Sequence, residues 1–154
     1  MGASCWCFSL IRVGTYDDLE QIVIMAREFW SHTIFDDPFC EISVEEMAKY
    51  CIDQGLMVVL DIDGPKGFAC AIAGHLLANV DVKSGTEVAW WVNPEHRGGR
   101  NGISLIKALE SQAKEVGIKW FSLAFMESSM PDKIEDIYLK MGYKKSETLY
   151  TKVL

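Results

Sequence analysis

Apolar and polar positions change period along this chain, and the changes mark out its elements. Residues 8–13, Phe-Ser-Leu-Ile-Arg-Val, read as a first strand. Thr15-Tyr16-Asp17-Asp18 puts an acid three residues after a threonine, an arrangement that caps a helix. Leu19, Ile22, Val23, Ala26 and Phe29 or Trp30 then recur at helical spacing and form one apolar stripe. Residues 31–41 read as a loop holding His32, Asp36, Asp37 and Pro38. Ser43-Val44-Glu45-Glu46 is a second capping box, opening a helix through Met47, Cys51 and Ile52 that Gly55 stops. Residues 56–62 and 68–77 are strand-like runs joined by Asp63-Gly64-Pro65-Lys66-Gly67, which predicts a hairpin.

A fourth strand is predicted over residues 86–92. Behind it Ile103, Ile106, Leu109, Ala113 and Val116 return at helical spacing and stop at Gly117. Residues 119–125 form a continuous apolar strand, as expected of a strand covered on both faces. Pro131 sits near the start of a helix over residues 132–141. Residues 143–153 return as strand, with Lys and Glu suited to a sheet edge. The order is strand, two helices, three strands, helix, strand, helix, strand. It predicts one α/β domain over residues 1–154 with a mixed sheet.

The turn after the fourth strand reads Val92-Asn93-Pro94-Glu95-His96-Arg97-Gly98-Gly99-Arg100-Asn101-Gly102. Glycines let backbone N–H groups approach a ligand closely. A helix start adds unpaired donors and a partial positive charge. Arg97 and Arg100 add full charges. Together these suit a pyrophosphate; the alternative is an ordinary glycine-rich turn. No Gly-Lys-Ser/Thr follows, so it is not a Walker loop, and the spacing and late position exclude the dinucleotide fingerprint.

The turn resembles the acyl-CoA loop of the GNAT acetyltransferase superfamily: Gln or Arg, two residues, Gly, one residue, Gly or Ala. That loop follows a strand ending Val-x-Pro and an Arg-Gly pair. Arg97 fills the first place and Gly102 the last, while Arg100 stands where glycine is usual. The form Arg-Gly-x-Arg-x-Gly is similar to that of some members, phage-encoded ones included. Downstream, Ile137-Tyr138-Leu139-Lys140-Met141-Gly142-Tyr143 resembles the family's Phe-Tyr-x-x-x-Gly-Phe segment. The resemblance covers the second half of the chain by motif and the first half by element order. It implies a GNAT-like α/β fold: a mixed, mostly antiparallel sheet with splayed fourth and fifth strands and helices on both faces.

The activity so implied is acetyl transfer from acetyl-CoA to a primary amine, of a small molecule or a protein, by direct attack in a ternary complex. The cofactor site is expected to take in Trp91 and Val92 at the strand end and Arg97, Gly98, Gly99, Arg100, Asn101 and Gly102 in the turn. Tyr138 holds the place where family members set a phenol near the CoA sulfur; a packed tyrosine with a satisfied hydroxyl is the alternative. Glu87 is the candidate base, with Glu127 the other; strand alternation puts Glu87 on the face of Ala89 and Trp91. Trp90 and Trp91 should point to opposite faces. His32, Asp36 and Asp37 could line an amine pocket, though loop solvation and turn formation explain them better. His75 and His96 read as ordinary strand and loop residues, with a pyrophosphate contact from protonated His96 the alternative. Ser128 and Ser129 read as caps of the next helix, with binding of the pantetheine arm the alternative.

Composition narrows the partners. The formal charge of −7 repels nucleic acid and suits a cationic amine. With 49% hydrophobic and 24% charged residues and no unbroken apolar run long enough to span a bilayer, neither nucleic acid nor membrane is expected as a partner. Five cysteines, an odd number without framework spacing, point to a reducing cytoplasm. Cys5-x-Cys7 lacks a second pair to complete a metal site, and no metal is expected; Cys70 reads as core filler. The N-terminus has neither a signal-peptide pattern nor, with Trp6 at position six, a good myristoylation match. A homodimer is a further expectation that the family resemblance implies, with the edge of the last strand only a weak hint. The competing reading is a GNAT-like module that binds CoA, or a protein partner, without catalysis. A nucleotide-binding domain is the third.

Overall fold

The computed structural model describes residues 10–154. Cys5, Cys7 and the first residues of the predicted opening strand lie outside that range. The chain forms two compact units that divide between Leu123 and Ala124.

The first unit contains β1 (Ile11–Val13), α1 (Leu19–Trp30), α2 (Glu41–Asp53), β2 (Met57–Asp61), β3 (Pro65–Leu76), β4 (Asn79–Val92), α3 (Asn101–Glu115) and β5 (Trp120–Ser122). The sheet runs β1-β2-β3-β4-β5, antiparallel throughout except for the parallel β4–β5 pair. Met57, Val59, Phe68, Cys70, Ala89 and Trp91 face α1 and α2, meeting Ile22, Met25, Ala26, Ala48 and Cys51 in one buried cluster. Residues alternate faces along a strand, so Val58, Leu60, Ala69 and Ala71 turn the other way. There they are covered by α3, whose Leu105, Ile106, Leu109 and Ala113 are buried. With both faces covered, β2 is buried from Met57 to Leu60.

Two departures from the sequence expectation matter. The fourth strand starts at Asn79, well before the predicted residue 86. Its first half is too polar to read as a strand, and it is held by the β3 ladder, not by burial. The fifth strand shrinks to Trp120–Ser122 and is not covered on both faces, since Trp120 is 59% exposed. It has only three rungs, Ser84↔Trp120, Gly85↔Phe121 and Thr86↔Ser122. Beyond Thr86 the strands part, and a strand without a partner does not persist.

Some helix ends follow their sequence signals and others do not. Asp18 closes a capping box with Thr15, and positive-φ Gly55 and Gly117 follow α2 and α3. The second helix begins at Glu41, so Ser43 lies inside it and does not cap it. In α3, Leu105 is buried, while Ile103 and Val116 are only partly so.

The second unit contains α4 (Pro131–Lys140). Its N-cap is Met130, at φ 53, and neither Ser128 nor Ser129 caps it; Ser129 Oγ donates to the Met126 carbonyl instead. Residues 143–154 form no strand in the described structure, and Leu149, Tyr150, Val153 and Leu154 are almost wholly exposed. β-propensity acts through a neighbouring strand, and none is paired with this segment.

One ion cluster ties β1 to the rest. Arg12 donates to both carboxylate oxygens of Asp18, at 2.7 and 2.8 Å, and through Nε to Asp61 at 2.8 Å. Asp18 is 4% exposed, and the Arg12 hydrogen bonds hold its pKa below the ordinary 3.8. A depressed carboxylate pKa stabilises the fold above the unfolded value and ceases to do so as pH falls through the folded one. Breaking a buried pair from one side leaves an uncompensated charge, although Arg12 is itself partly exposed, which reduces the effect. Arg12→Met should lower unfolding free energy by about 2 kcal/mol at neutral pH. In denaturant titrations that difference should shrink as pH drops below 3.8.

Candidate functional site

The β4 strand carries a bulge that the sequence does not announce. Cys70 pairs with Ala89 but Ala71 pairs with Glu87, so Val88 is the extra residue. Directly opposed residues share a face. Glu87 therefore stands on the Ala71 face, with Trp90 and toward α3, and not with Ala89 and Trp91 as simple alternation predicts. The bulge also leaves backbone groups at Val88 out of the β3 ladder. Past Thr86, on the side of β5, no strand pairs with β4 among the described residues.

The turn after β4 is closed from within. Asn93, Pro94, Glu95 and His96 make a short 3-10 turn, with Arg97 N–H donating to the Pro94 carbonyl at 3.2 Å. The Asn101 side-chain amide donates to the His96 carbonyl at 3.0 Å. Gly98 has φ 88, where a Cβ is strained, and a Cβ at Gly98 or Gly99 would meet open space. The first turn of α3 has no acidic residue and no side-chain cap. Among the described residues, none accepts from the backbone N–H of Gly98, Gly99, Arg100, Asn101, Gly102 or Ile103. These amides lie at the positive end of a 15-residue helix, an arrangement that suits an anion.

The two adjacent tryptophans take opposite faces, as predicted, and each holds one end of this turn. Trp90 lies against Gly102, where an added Cβ would come within 2.9 Å of its Cζ2. Gly102 is thus required by packing whether or not a ligand binds. Trp91 takes the Arg97 guanidinium 4.3 Å from its ring centre, an arrangement worth about 0.5–1 kcal/mol when exposed. Arg97 Nε also donates to the Val92 carbonyl at 2.6 Å. Trp91 Nε1 donates to Asn93 Oδ1 at 3.0 Å, a role for Asn93 that no sequence signal marks. Both arginines are exposed, but the Arg97 side chain is held against the strand end, whereas the Arg100 side chain has no such contact among the described residues.

His32 comes from the loop after α1, its ring centre 5.5 Å from that of Trp91. Asp36 and Asp37 are exposed, and the Asp37 carbonyl accepts from Trp30 Nε1, which fits turn formation. His75 sits near the tip of the β3–β4 hairpin, opposite Lys83, and His96 lies 3.9 Å from Glu95. In the second unit the Tyr138 hydroxyl donates to the Ala124 carbonyl at 2.7 Å, with its ring near Phe125 and Tyr143. Glu127 lies in that unit, between Ala124 and α4. Among the described residues no group of three or more His, Cys, Asp or Glu is placed to hold a metal, and no helix is long and apolar enough to cross a membrane.

No protein-family model matches the chain, and no curated protein matches it in sequence. Solved structures do match. A predicted acetyltransferase from Clostridium acetobutylicum, solved with acetyl-CoA, is 16% identical and superposes with a TM-score of 0.71 over 93% of this chain and 94% of its own. AAC(6')-Iy, bound to the bisubstrate analogue CoA-S-monomethyl-acetylneamine, is 15% identical, with a TM-score of 0.70 over 94% and 96%. A transcriptional regulator from Bacillus halodurans is 21% identical, with a TM-score of 0.71 over 94% and 98%. At these identities the likeness is one of fold.

The three turn glycines should separate by stability alone. Gly102→Ala forces Trp90 to move and should lower unfolding free energy by about 1–3 kcal/mol. Gly98→Ala should lower it by about 1–2 kcal/mol through backbone strain. Gly99→Ala should stay within about 0.5 kcal/mol of the parent. Chemical denaturation of the three variants checks the order.

Proposed function

Given that the chain has the GNAT acetyltransferase fold, we propose that it transfers an acetyl group from acetyl-CoA to a primary amine. The observation that carries this reading is the run of amides from Gly98 to Ile103 at the start of α3 with no acceptor among the described residues, next to the stretch of β4 that β5 does not pair. A diphosphate fits the amides. The pantetheine arm would lie along the β4 edge, which offers the backbone groups an extended amide chain needs. Trp91, Val92, Arg97 and Arg100 border this path.

In the reaction the amine first loses a proton, because an alkylamine with a pKa of ~10 is charged at neutral pH. Glu87, beside the β4 bulge, is the proposed base, acting directly or through water, with Glu127 the alternative. The nitrogen lone pair then attacks the thioester carbon. Backbone N–H groups freed at the Val88 bulge would stabilise the oxyanion. The C–S bond breaks, the CoA thiolate takes a proton from Tyr138, and the second proton of the attacking nitrogen leaves as the amide forms and returns through water to the Tyr138 phenolate. That phenol donates to the Ala124 carbonyl, so it serves the thiolate by exchanging one acceptor for another. The acceptor is proposed to be a small-molecule or protein amine, to which the net charge of −7 is complementary.

A CoA-binding module without catalysis is the second reading. It is favoured by the inward-folded Arg97, by the committed Tyr138 hydroxyl and by the likeness to a protein described as a transcriptional regulator.

Acetyl-CoA and CoA should raise the melting temperature, and ATP should not; a shift with ATP alone would favour a nucleotide-binding domain. Thiol release in the presence of an amine panel separates enzyme from binder. Tyr138→Phe should lower turnover by about 10²-fold or more while leaving CoA affinity within about threefold. Glu87→Gln should flatten the rise of rate with pH, and an unaffected profile passes the base role to Glu127.

A further inference from the structure

The two arginines of the turn are both exposed but differ in what their side chains touch. Arg97 is fixed twice over: Nε donates to the Val92 carbonyl at 2.6 Å, and the guanidinium lies 4.3 Å from the Trp91 ring centre. Its platform is itself held. Trp91 is 7% exposed, donates to Asn93 Oδ1, and packs against Phe29 and His32, with ring centres 6.5 and 5.5 Å away. Arg100 immediately precedes α3, is exposed, and has no ion pair, hydrogen bond or ring contact from its side chain among the described residues.

We propose that the two residues divide the work. Arg97 is a positioning residue that clamps the phosphate-binding turn to the end of β4 through Trp91 and Val92. Arg100 alone brings side-chain charge to the diphosphate. This rests on the acyl-CoA reading of the turn. The two roles differ in what they ask of a side chain. A clamp that uses a planar stack and an Nε–H bond needs the guanidinium, and a lysine ammonium reproduces neither. A charge offered to a phosphate can come from lysine, which serves as a point charge. The clamp holds a glycine-rich turn whose amides have to converge on one anion, so its loss weakens binding without removing a phosphate contact.

The test compares Arg97→Lys, Arg97→Gln, Arg100→Lys and Arg100→Gln in the full chain. CoA affinity is measured by calorimetry at low and moderate salt, and the denaturation midpoint is measured without ligand. Both Arg97 variants should bind CoA about tenfold more weakly, keep the parent's salt dependence and unfold at lower denaturant. Arg100→Lys should bind within about twofold of the parent. Arg100→Gln should bind about tenfold more weakly, with a shallower salt dependence, and both Arg100 variants should unfold like the parent.

The proposal is overturned if Arg97→Lys binds like the parent while Arg97→Gln loses both affinity and salt dependence, because Arg97 is then a phosphate ligand. It is equally overturned if the Arg97 variants unfold like the parent. A parent protein that takes up no CoA sinks the acyl-CoA reading and the Arg100 role with it. The clamp is then upheld or refuted by the ligand-free midpoints alone.

Discussion

The constraint on which the first unit depends is the unequal support of β4. On one side β3 pairs with it from Gly67↔Val92 to Leu76↔Asn79. On the other, β5 holds it for three rungs and then leaves. Backbone polar groups need partners, and a strand supported in this way keeps its shape from one side while, among the described residues, no strand pairs with its other edge past Thr86. The long ladder supplies rigidity, and the short one supplies the opening. A β5 that followed β4 to Val92 would close that edge. The bulge at Val88 belongs to the same arrangement, because it turns local backbone away from the partner that would otherwise take it.

The turn beyond Val92 shows how a glycine-rich segment can be ordered without occupying its own amides. Its closing contacts come from side chains and from carbonyls: Asn101 to His96, Arg97 to Val92, Arg97 against Trp91, Gly102 against Trp90. None of these uses a backbone N–H between Gly98 and Ile103. Two neighbouring tryptophans can grip both ends of the turn because strand residues alternate faces. Trp90 meets the α3 side and Trp91 the α1–α2 side. Preorganisation of this kind lowers the entropy lost when an anion is bound.

Much of this was legible in the chain. Helices announce themselves through capping residues, stop glycines and apolar stripes, all local features, and α1, α3 and α4 lie within a few residues of their predicted places. The β2–β3 hairpin was legible for the same reason, with Gly64 and Gly67 between two apolar runs. The strands that misled were those set by partners and not by composition. Residues 79–85 are polar and yet in a strand, residues 123–125 are apolar and yet in none, and residues 143–153 have β-prone sequence and form no strand among the described residues. The face of Glu87 was lost for a related reason. A one-residue bulge inverts every assignment on its far side, and Glu87-Val88-Ala89 gives no sign of one.

By itself, then, the sequence determined the helices, the glycine turn with its two arginines, and the opposed tryptophans, because each follows from short-range periodicity and from the conformational freedom of glycine. Only the tertiary structure decided where the β4–β5 pairing ends, which face Glu87 takes, and that Arg97 stacks on Trp91 while the likewise exposed Arg100 has no such contact among the described residues. Those outcomes depend on pairing and stacking between residues that meet only after the sheet has formed. Their energies belong to the contact and not to either residue alone.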